Sequence, residues 1–388
     1  MKHFAAFVAI ALMFVSATNP SGEQNSAAKP LAEGVKASAE ELSLVNAGWA
    51  ALAAGDAGKA SAAVTSVLAK NPRSIAAATL WVEIEISRKG GLAGLQAYEQ
   101  WLNARKLDDG YLLRRCARAL LWEGAALPEV SADALQYLSA DDDPFARARL
   151  ANMMVGGGLA ETRALARLGD EGAVNQLIAL MAKHPGSNKT FFIEALVQSR
   201  SPRAIPVLTK LLDDKDPTNV SAAVDGLGTL NAMSAIPMLR RLHADSAALF
   251  PVQFLSAGAL YKMNDLTGLS LLQRQLTSEY ATLRVGAAEQ MAGRPDGTWM
   301  QVVRALVTDQ DPSVRLRAAK LIAPFELDLA RQTLESLLVD NNQAIRQLAG
   351  MTIAERTATD FATLRQLLRN PDLPIRMRAA GRMLELTR

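Results

Sequence analysis

Apolar residues in the C-terminal half of the chain recur at a regular interval, with steps of 30 to 32 residues between successive members. A second apolar run follows within each interval, for example Ile205–Leu212 and Val302–Leu306. No segment shows the alternation of apolar and polar residues that is typical of a β-strand. The recurring column comprises Val220, Val252, Leu283, Val314, Ile345 and Ile375 and extends weakly to Lys189. Because repeats of this length hold a pair of helices, the pattern predicts stacked helical hairpins.

Each interval carries a second signature, an acidic or turn-prone residue six places before a basic one. Small residues such as Ala318-Ala319 follow, and they allow two helices to approach closely. Asp-Pro pairs (Asp216-Pro217, Asp311-Pro312) and Asp214, together with the acids of the signature, mark the starts of first helices as N-caps or turn formers. The signature pairs are Ser278 with Arg284, Asp309 with Arg315, Asp340 with Arg346 and Asn370 with Arg376.

These residues resemble HEAT repeats, in particular the short type found in phycobilisome-lyase-like HEAT proteins. The resemblance implies an all-α fold, a right-handed α-solenoid of stacked hairpins, with a HEAT-repeat array over 187–388. It also implies that the acidic and basic members of the signature bond within and between neighbouring units. Asp309, Arg315, Asp340, Arg346, Arg284 and Arg376 are therefore predicted to form a structural ladder along the stack.

The second helices carry a column of arginines two places before their closing leucines, interrupted by Thr209 and Glu335. In solenoids of this class the second helices line the concave side. Guanidinium groups there would suit carboxylates or phosphates on an extended partner. The alternative interpretation is that arginine near a helix C-terminus satisfies carbonyls and the helix dipole. The candidate partner-binding residues are Arg240, Arg274, Arg304 and Arg365.

The N-terminal half shows a different period. Leu44, Gly48, Ala60 and Val64, arranged around Gly55-Asp56, resemble a tetratricopeptide repeat, whose period is 34 residues. We therefore expect tetratricopeptide-like helical repeats over 41–125. Residues 126–186 are predicted to form an irregular helical junction or a degenerate repeat.

The first residues predict export. Lys2 precedes an apolar run from Phe4 to Val15, and the segment Val15-Ser16-Ala17 has the small residues of a cleavage site after Ala17. Residues 1–17 are therefore interpreted as a signal peptide. The run is shorter than the ~20 residues that span a bilayer, which disfavours an uncleaved anchor, the alternative. Residues 18–40 are predicted to be a disordered leader. The mature protein is then periplasmic or extracellular and has no membrane span.

The net charge and the few reactive residues limit which classes of function the chain could have. A net charge of +3 gives no strong attraction to nucleic acid or membrane. The chain has one cysteine, Cys116, and it falls at a helix position that favours a small packed residue. His184 and His243 lie at predicted helix ends, without a second ligand at metal spacing. We therefore predict no catalytic residue, no metal, no cofactor and no obligate small-molecule ligand.

The sequence thus favours an exported, non-enzymatic interaction module that binds a peptide or protein partner, possibly an acidic one, on the concave face. Two alternatives stay open. Some HEAT-like proteins hold DNA in a basic concavity, and a similar use of this concave face would make the chain a nucleic-acid-binding protein. The family resemblance also suggests a bilin-lyase-like enzyme, although export, the packed cysteine and the scarcity of histidine argue against it.

Overall fold

The computed structural model describes residues 37–127, 129–141, 158–184, 188–292 and 297–388, and within these ranges it contains helices and no strands. The predicted signal peptide, residues 18–36 of the predicted leader and residues 142–157 of the predicted junction lie outside the described ranges. The chain divides into two compact units. Among the described residues, one unit comprises those up to Glu123 together with Met383–Arg388, and the other comprises those from Gly124 to Arg382.

The first unit consists of helical hairpins. Ser38 caps the first helix by accepting the Glu41 N–H at 3.1 Å, so Ala39 and Glu40, assigned by sequence to the leader, belong to the helix. Trp49, Val64 and Leu80 are buried together between the helices. The helices are α1 (Ala39–Ala53), α2 (Ala57–Lys70), α3 (Ile75–Lys89), α4 (Gly91–Arg105) and α5 (Gly110–Gly124).

The second unit consists of successive helical hairpins, each with a first and a second helix. After α6 (Ser131–Ser139), the first helices of the hairpins are α7 (Leu159–Arg167), α9 (Thr190–Ser199), α11 (Pro217–Thr229), α13 (Phe250–Lys262), α15 (Ala281–Met291), α17 (Pro312–Ile322) and α19 (Gln343–Thr352). The second helices are α8 (Glu171–Lys183), α10 (Ala204–Lys210), α12 (Ile236–Ala244), α14 (Leu269–Leu276), α16 (Thr298–Leu306), α18 (Leu327–Leu337) and α20 (Phe361–Leu368). The last helix is α21 (Leu373–Leu386).

Turn residues explain where the first helices begin. Asp311 is the N-cap of α17, with its carboxylate accepting the Ser313 N–H at 2.8 Å. Asp309 forms the turn before it by accepting the Asp311 N–H at 2.9 Å. Asp340 does the same one repeat later, where Asn342 is the cap. The acids of the signature are therefore turn formers here, and the caps lie two residues further on.

Contacts between the helices of successive hairpins arrange the hairpins in an array. Consecutive first helices pack on each other, and each second helix packs on the next first helix. Gly228 shows how close the approach is, because a Cβ at that position would lie 2.9 Å from the Ala259 Cα. By contrast, no two second helices in the described ranges pack extensively on one another. This arrangement confirms the predicted all-α solenoid.

A partly buried polar cluster joins the start and the end of the second unit. Arg378 on α21 contacts Tyr137 and Asp133 on α6, at 3.1 and 3.2 Å, and forms an ion pair with Glu355. Burial raises the pKa of the Tyr137 hydroxyl to about 12, so that the group stays a neutral donor. Residues more than 240 positions apart in the sequence are thus in contact.

None of the described helices combines the length and the apolar character needed to span a membrane.

Candidate partner-binding face

The arginines of the predicted ladder bond to the turn that precedes them. Arg315 Nη1 donates to the carbonyl oxygens of Asp309 and Gln310, at 2.8 and 3.1 Å. These carbonyls lie at the end of the preceding hairpin connection, where no helical N–H is available to them. The contact to the carbonyl six residues earlier is also made by Arg284, Arg346 and Arg376.

The carboxylates of the signature face the arginine of the preceding unit. Arg284 Nη2 lies 3.9 Å from Asp309 Oδ2, and Arg315 Nη2 lies 4.0 Å from Asp340 Oδ2. Within a unit, then, the arginine bonds the carbonyl oxygen of the acid, and between units it approaches the carboxylate. Ion pairs at such distances and partial exposure contribute about 0–1 kcal/mol.

Two of the four second-helix arginines are held by acids of the next hairpin. Arg240 donates to Asp265 at 2.7 Å, and Arg304 pairs with Glu326. Although burial acts to raise it, hydrogen bonds from Thr267 and Arg240 lower the pKa of the Asp265 carboxyl. The Arg240 and Arg304 side chains remain 57% and 49% exposed, so each guanidinium keeps donors that face solvent.

The other two second-helix arginines differ in exposure. Arg274 on α14 is exposed and makes no ion pair with any residue that the structure describes, whereas Arg365 on α20 is half-buried. Because Asp265 and Glu326 lie 25 and 22 residues beyond their arginines, no local pattern in the sequence could indicate these pairs.

A cleft between the second helices α8 and α10 was not predicted from the sequence. It has a volume of about 690 Å³. Ile178 and Met181 of α8 form one apolar wall, and Pro206 and Val207 of α10 form the other. The α-helix of α10 ends at Lys210 and tightens into a 3₁₀ turn over Leu211–Asp213, from which Leu211 and Asp213 line the cleft.

One lysine and one acid of the cleft neutralise each other. Lys189 Nζ lies 3.1 Å from Asp214 Oδ2. The Asp216 N–H donates to the same carboxylate at 2.9 Å, and it is the main reason that the pKa of Asp214 is lowered. Asp214 therefore remains ionised and engaged with its own chain.

The remaining charges of the cleft are unbalanced. Asp213 accepts a hydrogen bond from Arg241 at 2.7 Å. Lys210 and Lys215 are exposed, and neither makes an ion pair within the ranges that the structure describes. The cleft thus presents two uncompensated ammonium groups next to an apolar floor.

The reactive residues offer no catalytic arrangement in the described ranges. Cys116 is fully buried, and that burial raises the pKa of its thiol, which keeps the nucleophilic thiolate from forming. His184 caps the C-terminus of α8, and the Nδ1 of His243 lies 3.2 Å from the Gln253 carbonyl oxygen. No group of three or more His, Cys, Asp or Glu residues that could hold a metal ion occurs among the residues described.

The packing of successive helical hairpins defines the described chain as an α-solenoid. Residues 187–260 match the family model for HEAT repeats. Comparison with curated proteins gives no match.

Among solved structures, human deoxyhypusine hydroxylase in complex with glycerol is similar at 17% identity, with a TM-score of 0.30, over 68% of this chain and 98% of that one. An engineered protein is similar at 20% identity, with a TM-score of 0.27, over 90% of this chain and 98% of that one.

Proposed function

We propose that this protein is an exported, non-enzymatic scaffold that binds a peptide or protein partner along the face formed by the second helices of its array. The HEAT-repeat match at 187–260 supports a role in protein interaction, because stacked helical repeats provide extended binding surfaces. The observation that carries the proposal is the row of second helices, on which Arg240, Arg274 and Arg304 are exposed to solvent.

The charges on this row favour an acidic partner. Arg240 and Arg304 keep about half of their side-chain surface in solvent, and Arg274 is exposed without an ion pair in the described ranges. Guanidinium groups can form paired hydrogen bonds with carboxylates. Because Asp265 and Glu326 already neutralise part of this charge, the face suits a partner with separated carboxylates better than a polyanion such as DNA.

Partner capture tests the proposal. The native chain, crosslinked in an envelope fraction and purified by affinity, should recover a reproducible set of proteins by mass spectrometry. The triple variant Arg240→Glu, Arg274→Glu and Arg304→Glu should recover less than a tenth as much, as expected from about 1.4 kcal/mol or more of lost affinity. Equal recovery would remove these arginines from the binding face.

A matched control uses the first helices. Lys262 and Arg317 are ion-paired like Arg240 and Arg304, and Lys320 is exposed like Arg274. Reversal of these three charges to Glu changes the net charge by the same amount on another surface. The control variant should capture the partner as the native chain does.

Export is tested at the N-terminus. We expect the intact mass of the protein from its native envelope to correspond to a chain that begins at Thr18, which follows the small residue Ala17. A full-length chain found in the membrane fraction would instead support an uncleaved anchor. For the non-enzymatic part, incubation with free bilin and an acceptor protein should give no covalent adduct.

A further inference from the structure

We infer that the cleft between α8 and α10 is a docking site for a short acidic peptide segment that also carries an apolar side chain. The inference rests on the proposed function, since it assigns one location and one chemistry to the partner. It differs from the predicted arginine column in position, because the cleft lies near the start of the HEAT-repeat region, between Ile178 and Lys215.

The walls select for an apolar side chain. Met181 and Leu211 are nearly buried, whereas Ile178 and Val207 are only partly covered by the chain itself. An aliphatic or aromatic side chain placed between α8 and α10 would complete the burial of Ile178 and Val207. Burial of apolar surface yields about 25 cal/mol for each Å² removed from water, so such a side chain would add to the affinity that the lysines provide.

The charges select for separate carboxylates. Lys210 and Lys215 are free to pair, while Lys189 is engaged with Asp214. A ligand carboxylate near Lys210 or Lys215 therefore meets a positive charge that the fold has not compensated. Because Asp213 and Asp214 are already paired with Arg241 and Lys189, Lys210 and Lys215 are the two charges left for a ligand, and they match separate carboxylates better than a long row of phosphates. A peptide can place its carboxylates at the lysines and a neutral residue opposite these acids.

Peptide selection tests this chemistry directly. A displayed library of random 12-residue peptides is selected on the immobilised full chain, and one enriched peptide is synthesised with a fluorophore for anisotropy titrations. We expect enriched peptides to carry Asp or Glu within a few positions of a large apolar residue. Enrichment of basic or uncharged sequences, or no enrichment at all, would overturn the inference.

Charge reversal then locates the site. Lys210→Glu with Lys215→Glu should weaken binding of the enriched peptide about tenfold or more. Lys106→Glu with Lys320→Glu is the matched control, because these two lysines are also exposed and make no ion pair in the described ranges; it should leave the affinity unchanged. A peptide whose acids are replaced by lysine should bind the Lys210→Glu, Lys215→Glu variant better than the native chain. Equal binding by both double variants would place the peptide elsewhere.

The peptide assay and the capture assay fail independently. If the native chain captures no envelope protein but binds the selected peptide through Lys210 and Lys215, the proposed cellular role is wrong and the site stands. If envelope partners are captured and the lysine variant binds the peptide normally, the scaffold role stands and the site is wrong.

Discussion

Replacement of Arg315 by methionine tests how successive hairpins are joined. Methionine keeps much of the aliphatic length and removes the guanidinium, which donates to the Asp309 and Gln310 carbonyls at 2.8 and 3.1 Å. Hydrogen bonds to a charged group contribute about 1.5–3 kcal/mol each. Because the Arg315 side chain is 22% exposed and water can replace part of each bond, we expect a loss of about 2 kcal/mol rather than the full sum.

The companion variant Asp340→Asn separates carbonyl bonding from the ion pair. Asparagine keeps the side-chain oxygen that accepts the Asn342 N–H, and it removes the charge that lies 4.0 Å from Arg315. An ion pair of this kind is worth little, so we expect a change of less than about 0.5 kcal/mol.

Urea unfolding followed by circular dichroism gives the midpoint for each variant, and hydrogen exchange of residues 309–322 reports the local effect. Arrays of repeats need not unfold in one step, so exchange at α17 is the decisive measurement. Equal destabilisation by the two substitutions, or no effect of Arg315→Met, would refute the carbonyl-bonding account.

Three further outcomes follow from single residues. Asp311→Ala should cost about 1 kcal/mol at neutral pH through loss of the cap. The Ser313 hydrogen bond lowers the folded-state pKa of Asp311, so this contribution is complete above the unfolded pKa and is lost as the pH falls through the folded one. The difference between the urea midpoints of the two proteins should therefore shrink as the pH falls below the ordinary aspartate value of 3.8. Gly228→Val should destabilise by about 1–3 kcal/mol or more because its side chain would overlap Ala259, whereas Gly58→Ala, whose Cβ would meet only the Asp56 carboxylate at 3.4 Å, should be neutral or stabilising in the same melts. Cys116 should not react with a thiol reagent in the native chain and should react fully in urea; rapid native labelling would contradict its burial.

The starts of the first helices can be predicted from the sequence, because they depend on residues that are close together in the chain. A first helix starts where a turn acid, a cap and an apolar residue follow in order, and all of these lie within a few positions of one another, as in Asp309, Asp311 and Val314. Such short-range chemistry is visible in one repeat and is reinforced by its recurrence. For this reason the solenoid could be predicted, and the structure adds which aspartate forms the turn, Asp309, and which is the cap, Asp311.

Contacts across hairpins could not be predicted in the same way. The partners of Arg240 and Arg304 sit in connections whose lengths vary from repeat to repeat, so no fixed spacing identifies Asp265 or Glu326. The Arg378–Tyr137 contact depends on how rotation accumulates over all the intervening hairpins. The cleft between α8 and α10 likewise arises from an early end of one α-helix, which the apolar run Ile205–Leu212 conceals.

The bonds of Arg315 to the turn before its helix have a consequence for how the number of repeats can change. Because Arg315 donates to carbonyls of its own unit, each segment of about 31 residues contains both the arginine and the carbonyl oxygens of this contact. Duplication or deletion of one segment would leave these bonds complete in the other segments, whereas contacts between segments, such as the 4.0 Å approach of Arg315 to Asp340 and the ion pair of Arg304 with Glu326, would need new partners. A change in the number of hairpins therefore preserves the bonds at the start of each first helix and changes only the contacts between neighbouring units.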